Sequence, residues 1–172
     1  MDPNFKTPYE RKITLGLTYY LPNDYVLTAD AIVTQGEDTA IWKRGDLEVV
    51  GTNSDGSPEY DSVREASFVL TNSAIGNESE SISFGLFKSF ENGLDMRLGY
   101  AWNDSRDVNP MTSSIAFSNY VNRTFFDPQE EVLSRSNYNI EHRFTGVFNW
   151  TRNYFGDYST RFSLFALSLI HI

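Results

Sequence analysis

The stretch SISFGLFKSFENGLDMRLGYAWN, residues 81–103, reads as two strands and the turn that joins them. Before the turn, Ile82, Phe84 and Leu86 recur at every second position. After Glu91, Asn92 and Gly93, the residues Leu94, Met96, Leu98, Tyr100 and Trp102 alternate with Asp95, Arg97, Gly99 and Asn103. Successive side chains of a strand point to opposite faces, so each arm carries one apolar and one polar face. Asn-Gly between two such arms is the strongest short-range hairpin signal. A one-residue slip would exchange the faces, so the pattern also fixes the register.

The same pattern recurs on both sides of this hairpin. Ile13, Leu15, Leu17 and Tyr19 oppose Lys12, Thr14, Gly16 and Thr18. Leu21, Pro22, Asn23 and Asp24 then supply the chemistry of a tight reversal. Beyond it, Tyr25, Leu27, Ala29, Ala31 and Val33 oppose Thr28, Asp30 and Thr34. A third hairpin sets Phe144, Phe148 and Trp150 against Phe162, Leu164 and Ala166 across residues 153–159. Its other face carries Arg143, Thr145, Asn149, Arg161 and Ser163. Between the hairpins lie residues 36–78 and 104–141, each several times longer than a strand. Short turns on one side, long segments on the other and an apolar band between them are what a transmembrane β-barrel requires. The pattern predicts an all-β, antiparallel up-and-down meander of about six strands, an open fragment of a large transmembrane barrel with two long extracellular loops.

Charge follows the same division. Residues 36–78 hold nine acidic and three basic side chains and residues 104–141 hold six and three, so these segments carry the whole net charge of −9. In the strands, Lys12, Asp30, Asp95, Arg97, Arg143 and Arg161 fall on the polar face. Lys88 is the exception, close enough to a turn for its long side chain to reach the headgroup layer. Tyr19, Tyr25, Phe90 and Trp150 gather toward the short turns, and Trp102 and Phe144 toward the long segments, as two interfacial girdles would. Ile32, Phe87, Val147 and Phe165 break the polar face, which a lumen filled by protein rather than water accommodates.

Composition narrows the function classes. No stretch approaches the length of a transmembrane helix, but a barrel crosses lipid with strands of about 9–11 residues whose hydropathy averages out. The absence of cysteine removes disulfides, thiol catalysis and thiolate metal sites. A pI of about 4.6 without a basic patch argues against nucleic acid as a partner. His142 and His171 are the only histidines, too few for a histidine-based triad or metal centre. Ser113, Ser114, Glu130 and Glu131 read as turn and loop chemistry. Asn53, Asp55, Gly56, Glu59 and Asp61 lack the alternation and closing glutamate of a calcium loop. The sequons at Asn77, Asn103, Asn122 and Asn149 carry no glycosylation meaning in a bacterial outer membrane. The expectation is a protein that is not an enzyme, with no catalytic residue, metal or cofactor.

Alternation alone also describes a half-buried sheet in a soluble sandwich. The alternative expectation is therefore a secreted acidic β-sandwich that binds carbohydrate or peptide. Under either reading Trp42, Tyr60, Phe117 and Tyr120, aromatics of the long segments, are the candidate ligand-binding residues.

Three runs carry a family resemblance: DPNFKTPYERKITLGLTYYLPNDYVLTAD, then SISFGLFKSFENGLDMRLGYAWNDSRDVNPMTSSIAFSNY, then EEVLSRSNYNIEHRFTGVFNWTRNYFGDYSTRFSLF. Residues 109–114 and 137–144 are their most distinctive parts. Together they resemble the barrel portion of TonB-dependent outer-membrane receptors, nearest to the Oar-like subgroup, over most of residues 2–166. The resemblance implies a barrel of about 22 strands around an N-terminal plug. It implies outer-membrane lipid and an extracellular substrate as partners, with import driven by an inner-membrane energy-coupling complex through a plug outside this chain. Met1 is followed by neither a basic nor an apolar leader segment, so the natural start is expected upstream. Residues 167–172, LSLIHI, resemble the translation of a sequencing-library adapter and are expected to depart from a strand that ends near Ala166.

Overall fold

The computed structural model describes residues 1–123 and 125–170; the sequence readings that fall on His171 and Ile172 lie outside them. In chain order the strands are β1 (Tyr9–Leu21), β2 (Tyr25–Glu37), β3 (Ala40–Arg44), β4 (Leu47–Thr52), β5 (Pro58–Ser62), β6 (Phe68–Asn72), β7 (Glu78–Ser89) and β8 (Leu94–Asp107). After helix α1 (Ala116–Val121) come β9 (Ser134–Arg135), β10 (His142–Phe155) and β11 (Tyr158–Ile170). The main sheet runs in the order β1-β2-β7-β8-β10-β11, with β9 added beside β8. The fold is all-β, and the six strands legible in the sequence are its long members. β1 and β11 are the edges of this open sheet.

Cross-strand register assigns the faces. Met96, Phe148 and Leu164 form one row across β8, β10 and β11; Leu98, Gly146 and Ala166 form the next, and Tyr100, Phe144 and Ser168 the one after. Directly opposed residues share a face, so the apolar sets of separate strands merge into one surface. The other face carries Asp95 beside Asn149 and Ser163, and Arg97 beside Val147 and Phe165. The apolar surface is open to its surroundings, with Leu15 73% and Leu164 63% exposed.

Each short turn has its own backbone solution. Asn23 and Asp24 take φ of 60° and 58° after Pro22, a left-handed conformation that short polar side chains tolerate. Between β7 and β8, Gly93 N–H donates to Phe90 O at 3.1 Å and Phe90 N–H to Leu94 O at 2.8 Å, with Gly93 at φ 82°. This is a type I turn closed by a left-handed glycine, the three-residue hairpin loop. The third hairpin is tighter than residues 153–159 suggest, because Arg152 pairs with Thr160 and Asn153 with Ser159. Only Gly156 and Asp157 connect the strands, and Gly156 at φ 60° supplies the sign that a II′ turn needs.

Two further expectations are corrected. The last strand does not end near Ala166: Leu169 pairs with Arg143 and Ile170 with His142, because β10 begins early enough to offer them backbone partners. The long segments are not plain loops either, since they hold the antiparallel ladders β3–β6 and β4–β5 together with α1.

The chain divides into two compact units. One comprises Met1–Arg11, Gln35–Glu78 and Arg106–Asn137; the other comprises Lys12–Thr34, Ser79–Ser105 and the chain from Tyr138 onward. The first buries Ile41, Val108 and Tyr120. The second contains the apolar face and the short turns. Among the described residues no helix is long and apolar enough to cross a membrane.

Candidate functional site

The candidate ligand-contact residues all lie in the first unit, where the β3–β6 ladder organises them. Trp42 stands opposite Leu70 and Arg44 opposite Phe68, so these four share a face, while Ile41 turns the other way into the core. Phe117 and Tyr120 come down from α1 and meet the Phe68 ring edge-on, with centroids 6.1 and 5.8 Å away. Such aromatic pairs add about 0.5–1.5 kcal/mol beyond the area they bury.

Two buried asparagines hold α1 in place. Asn109 Nδ2 donates to Asn119 O at 3.0 Å, while its Oδ1 accepts Met111 N–H at 3.0 Å. Asn119 in turn accepts Ser113 N–H at 2.8 Å and donates to Ser113 O at 2.6 Å. The run at residues 109–114 is thus a clamp that folds the chain back against the helix. It stood out only as part of the family resemblance, and nothing in the local pattern named Asn119 as its partner.

Beneath the aromatic face lies a fully buried carboxylate. Asp46 accepts Arg44 Nε at 2.8 Å, Ser67 N–H at 2.9 Å and Ser62 Oγ at 2.8 Å, and Arg44 Nη2 completes a two-pronged ion pair. The Arg44 guanidinium and the two further donors outweigh desolvation and hold the Asp46 carboxyl well below the usual carboxylate range. Gln129 closes the neighbouring edge of β3: its Oε1 accepts Arg44 N–H at 3.1 Å and its Nε2 donates to Arg44 O at 2.5 Å. One side-chain amide thereby replaces a strand partner, as buried backbone groups require.

The same Gln129 Oε1 accepts the Tyr120 hydroxyl at 3.2 Å. Tyr60 donates to Asp127 Oδ1 at 2.7 Å, which also accepts Gln129 N–H at 2.8 Å. Burial first, then the bond to Asp127, pushes the Tyr60 phenol up to about 12. Lys43 pairs with Glu131 at 2.5 Å. Burial alone would raise the Glu131 carboxyl, but Lys43, Ser73 and the Ala74 N–H together hold it low.

These contacts sort the candidate residues. Tyr120 is only 5% exposed and packs the unit's interior, where α1 turns it inward onto Phe68. Tyr60 and Trp42 are half-buried, and the Tyr60 hydroxyl is committed to Asp127. Phe117 remains 56% exposed and is the one exposed side chain of the four. Arg44, Asp46, Asn119 and Gln129 organise the region without a sequence signal: Arg44 and Asp46 lie only two residues apart, but their bonds to Gln129, Ser62 and Ser67, like that of Asn109 to Asn119, join residues 10 or more positions apart.

The surface beyond these residues is acidic. On the β4–β5 hairpin Glu48 stands directly opposite Asp61, both exposed, a like-charge pair that costs stability in a ladder. Asp55 serves the turn instead, its Oδ1 accepting Ser57 N–H at 2.9 Å and Ser57 Oγ at 2.7 Å. Among the described residues no group of three or more histidine or carboxylate side chains is placed to hold a metal ion. His142 bonds the Tyr100 hydroxyl through Nδ1 at 3.0 Å, and Ser113 is tied to Asn119. Compared with family models, curated proteins and solved structures, the chain matches none.

Proposed function

We propose that this chain is a wall segment of an outer-membrane TonB-dependent receptor. Its apolar sheet face lies in hydrocarbon, its acidic long segments meet an extracellular substrate, and import is driven by an inner-membrane energy-coupling complex acting through a plug outside these residues. The observation that carries the reading is the continuous apolar face with its opposite polar face, kept in register from β8 through β11. A sandwich would cover that face, yet Ile13 stays 74% and Leu164 63% exposed. Lipid is the solvent in which an apolar outer face with alternating polar partners is stable.

The three tryptophans provide the test. Single-tryptophan chains reconstituted in vesicles of brominated phosphatidylcholine should show strong quenching of Trp102 and Trp150, which lie on the apolar face, and little quenching of Trp42. Equal, weak quenching of all three would overturn the proposal.

A further inference from the structure

A polar cavity of about 380 Å³ opens in the first unit where β1 begins and β2 ends. Pro8, Tyr9 and Glu10 line it from the start of β1, Gly36, Glu37 and Thr39 from the end of β2, and Asn77 from just before β7. Small-molecule sites are clefts of about 300–1,000 Å³ with a few placed polar groups, and this cavity has both the size and the groups.

The hydrogen bonds already made decide which polar atoms remain. Glu37 is held at both oxygens: the Tyr9 hydroxyl donates to Oε2, and Arg11 Nη2 pairs with Oε1 at 2.8 Å. A carboxylate oxygen accepts about two bonds, so each keeps one acceptor position. Asn77 Oδ1 accepts Val108 N–H at 3.3 Å, and its main-chain carbonyl accepts Gly36 N–H at 2.6 Å. Its Nδ2 amide donates to no partner among the described residues. Thr39 Oγ1 accepts Asn77 N–H at 3.3 Å, and its own O–H likewise has no acceptor among them.

A ligand must therefore accept from Asn77 and Thr39 while donating to Glu37. An anion would meet the carboxylates of Glu37 and Glu10, and an ammonium offers no acceptor to the two donors. Hydroxyl groups do both. The Tyr9 ring, 45% exposed, and Pro8 add an apolar wall against which a ring can lie. We infer that this cavity binds a neutral sugar, as a free glycan or as the head of a glycolipid. The site uses none of Trp42, Tyr60, Phe117 and Tyr120, and its assignment does not depend on the sheet face lying in lipid.

The experiment uses the whole chain in lauryldimethylamine-oxide micelles and saturation-transfer NMR. The probes are methyl α-glucoside, methyl α-galactoside and methyl α-mannoside, with N-acetyl-trialanine amide as a peptide that also donates and accepts. Transfer to at least one glycoside is expected, and none to the peptide. Asn77→Asp keeps an acceptor for Val108 N–H and removes the Nδ2 donors, so it should raise the Kd of that glycoside by about tenfold. If Asn77→Asp alters the Trp42 emission of the first unit, Glu37→Gln, which keeps an acceptor for the Tyr9 hydroxyl, should weaken binding as much. Displacement of the glycoside by a diacylglycerol bearing the same sugar supports the site with a glycolipid head as its source, and lack of displacement supports it with a free glycan. No transfer to any glycoside, transfer to the peptide alone, or a Kd unchanged in both variants overturns the sugar site. Those results leave the lipid-facing reading intact, since the quenching of Trp102 and Trp150 tests it separately.

Discussion

The ammonium of Lys88 donates to the backbone carbonyl of Asn23, in the turn between β1 and β2. The side chain is only 12% exposed and passes between the rings of Tyr25 and Phe90, 5.2 and 5.5 Å from their centroids. The one charge that breaks the strand pattern is thus carried to the sheet end and held by a carbonyl and two aromatic faces. Cation–π contacts give about 0.5–1 kcal/mol when exposed and about 2 when desolvated. Lys88→Ala should therefore destabilise the chain in bilayers by about 1–2 kcal/mol, read as a shift in urea unfolding midpoint. An unchanged midpoint would show that the contact contributes nothing.

Adjacent residues on β8 should respond oppositely to charge. Leu98 belongs to the apolar row with Gly146, and Arg97 to the polar row with Val147. Leu98→Arg should cost about 2–4 kcal/mol in a bilayer if it sits near mid-depth, and Arg97→Ala should cost less. Refolding yields and unfolding curves in vesicles compare them; equal effects would contradict the faces.

Acid should weaken the first unit through Asp46. Its folded carboxyl lies well below the usual range, so its stabilisation is present above the unfolded value of about 3.9 and is lost as pH falls toward the folded value. Unfolding followed by Trp42 fluorescence should be flat down to about pH 5 and decline below about pH 4. Asp46→Asn should lower stability at neutral pH and flatten the acid decline. A variant that keeps the full acid slope would place the titration elsewhere.

Phe117 and Tyr120, both on α1, should separate binding from folding. Tyr120→Ala empties an interior site and should cost about 3–5 kcal/mol. Phe117 is 56% exposed, so Phe117→Ala should stay within about 1 kcal/mol while, on the proposed receptor function, reducing substrate capture. Unchanged surface binding by Phe117→Ala would remove it from the contact surface.

Two unpaired edges and an uncovered apolar face should make the chain self-associate in water. β1 and β11, 13 residues each, offer unpaired backbone groups along their length. Size exclusion without detergent should give aggregates, and a monodisperse monomer with a sharp melt would favour the sandwich.

Local periodicity determined the six long strands, the faces of Ile13, Leu98 and Phe148, and the positions of Pro22 and Gly93 in turns. Each of these depends on neighbours one or two residues away, and strand alternation has a period short enough to read in sequence. Tertiary structure alone decided the rest. Arg44 meets Gln129 across 85 positions and Tyr60 meets Asp127 across 67, and α1 turns Tyr120 inward while leaving Phe117 outside. The extension of β11 to Ile170 likewise depended on the partner strand beginning at His142. Contacts at such separations leave no periodic trace, because which polar groups are buried, and so must find partners, is fixed only when distant segments meet.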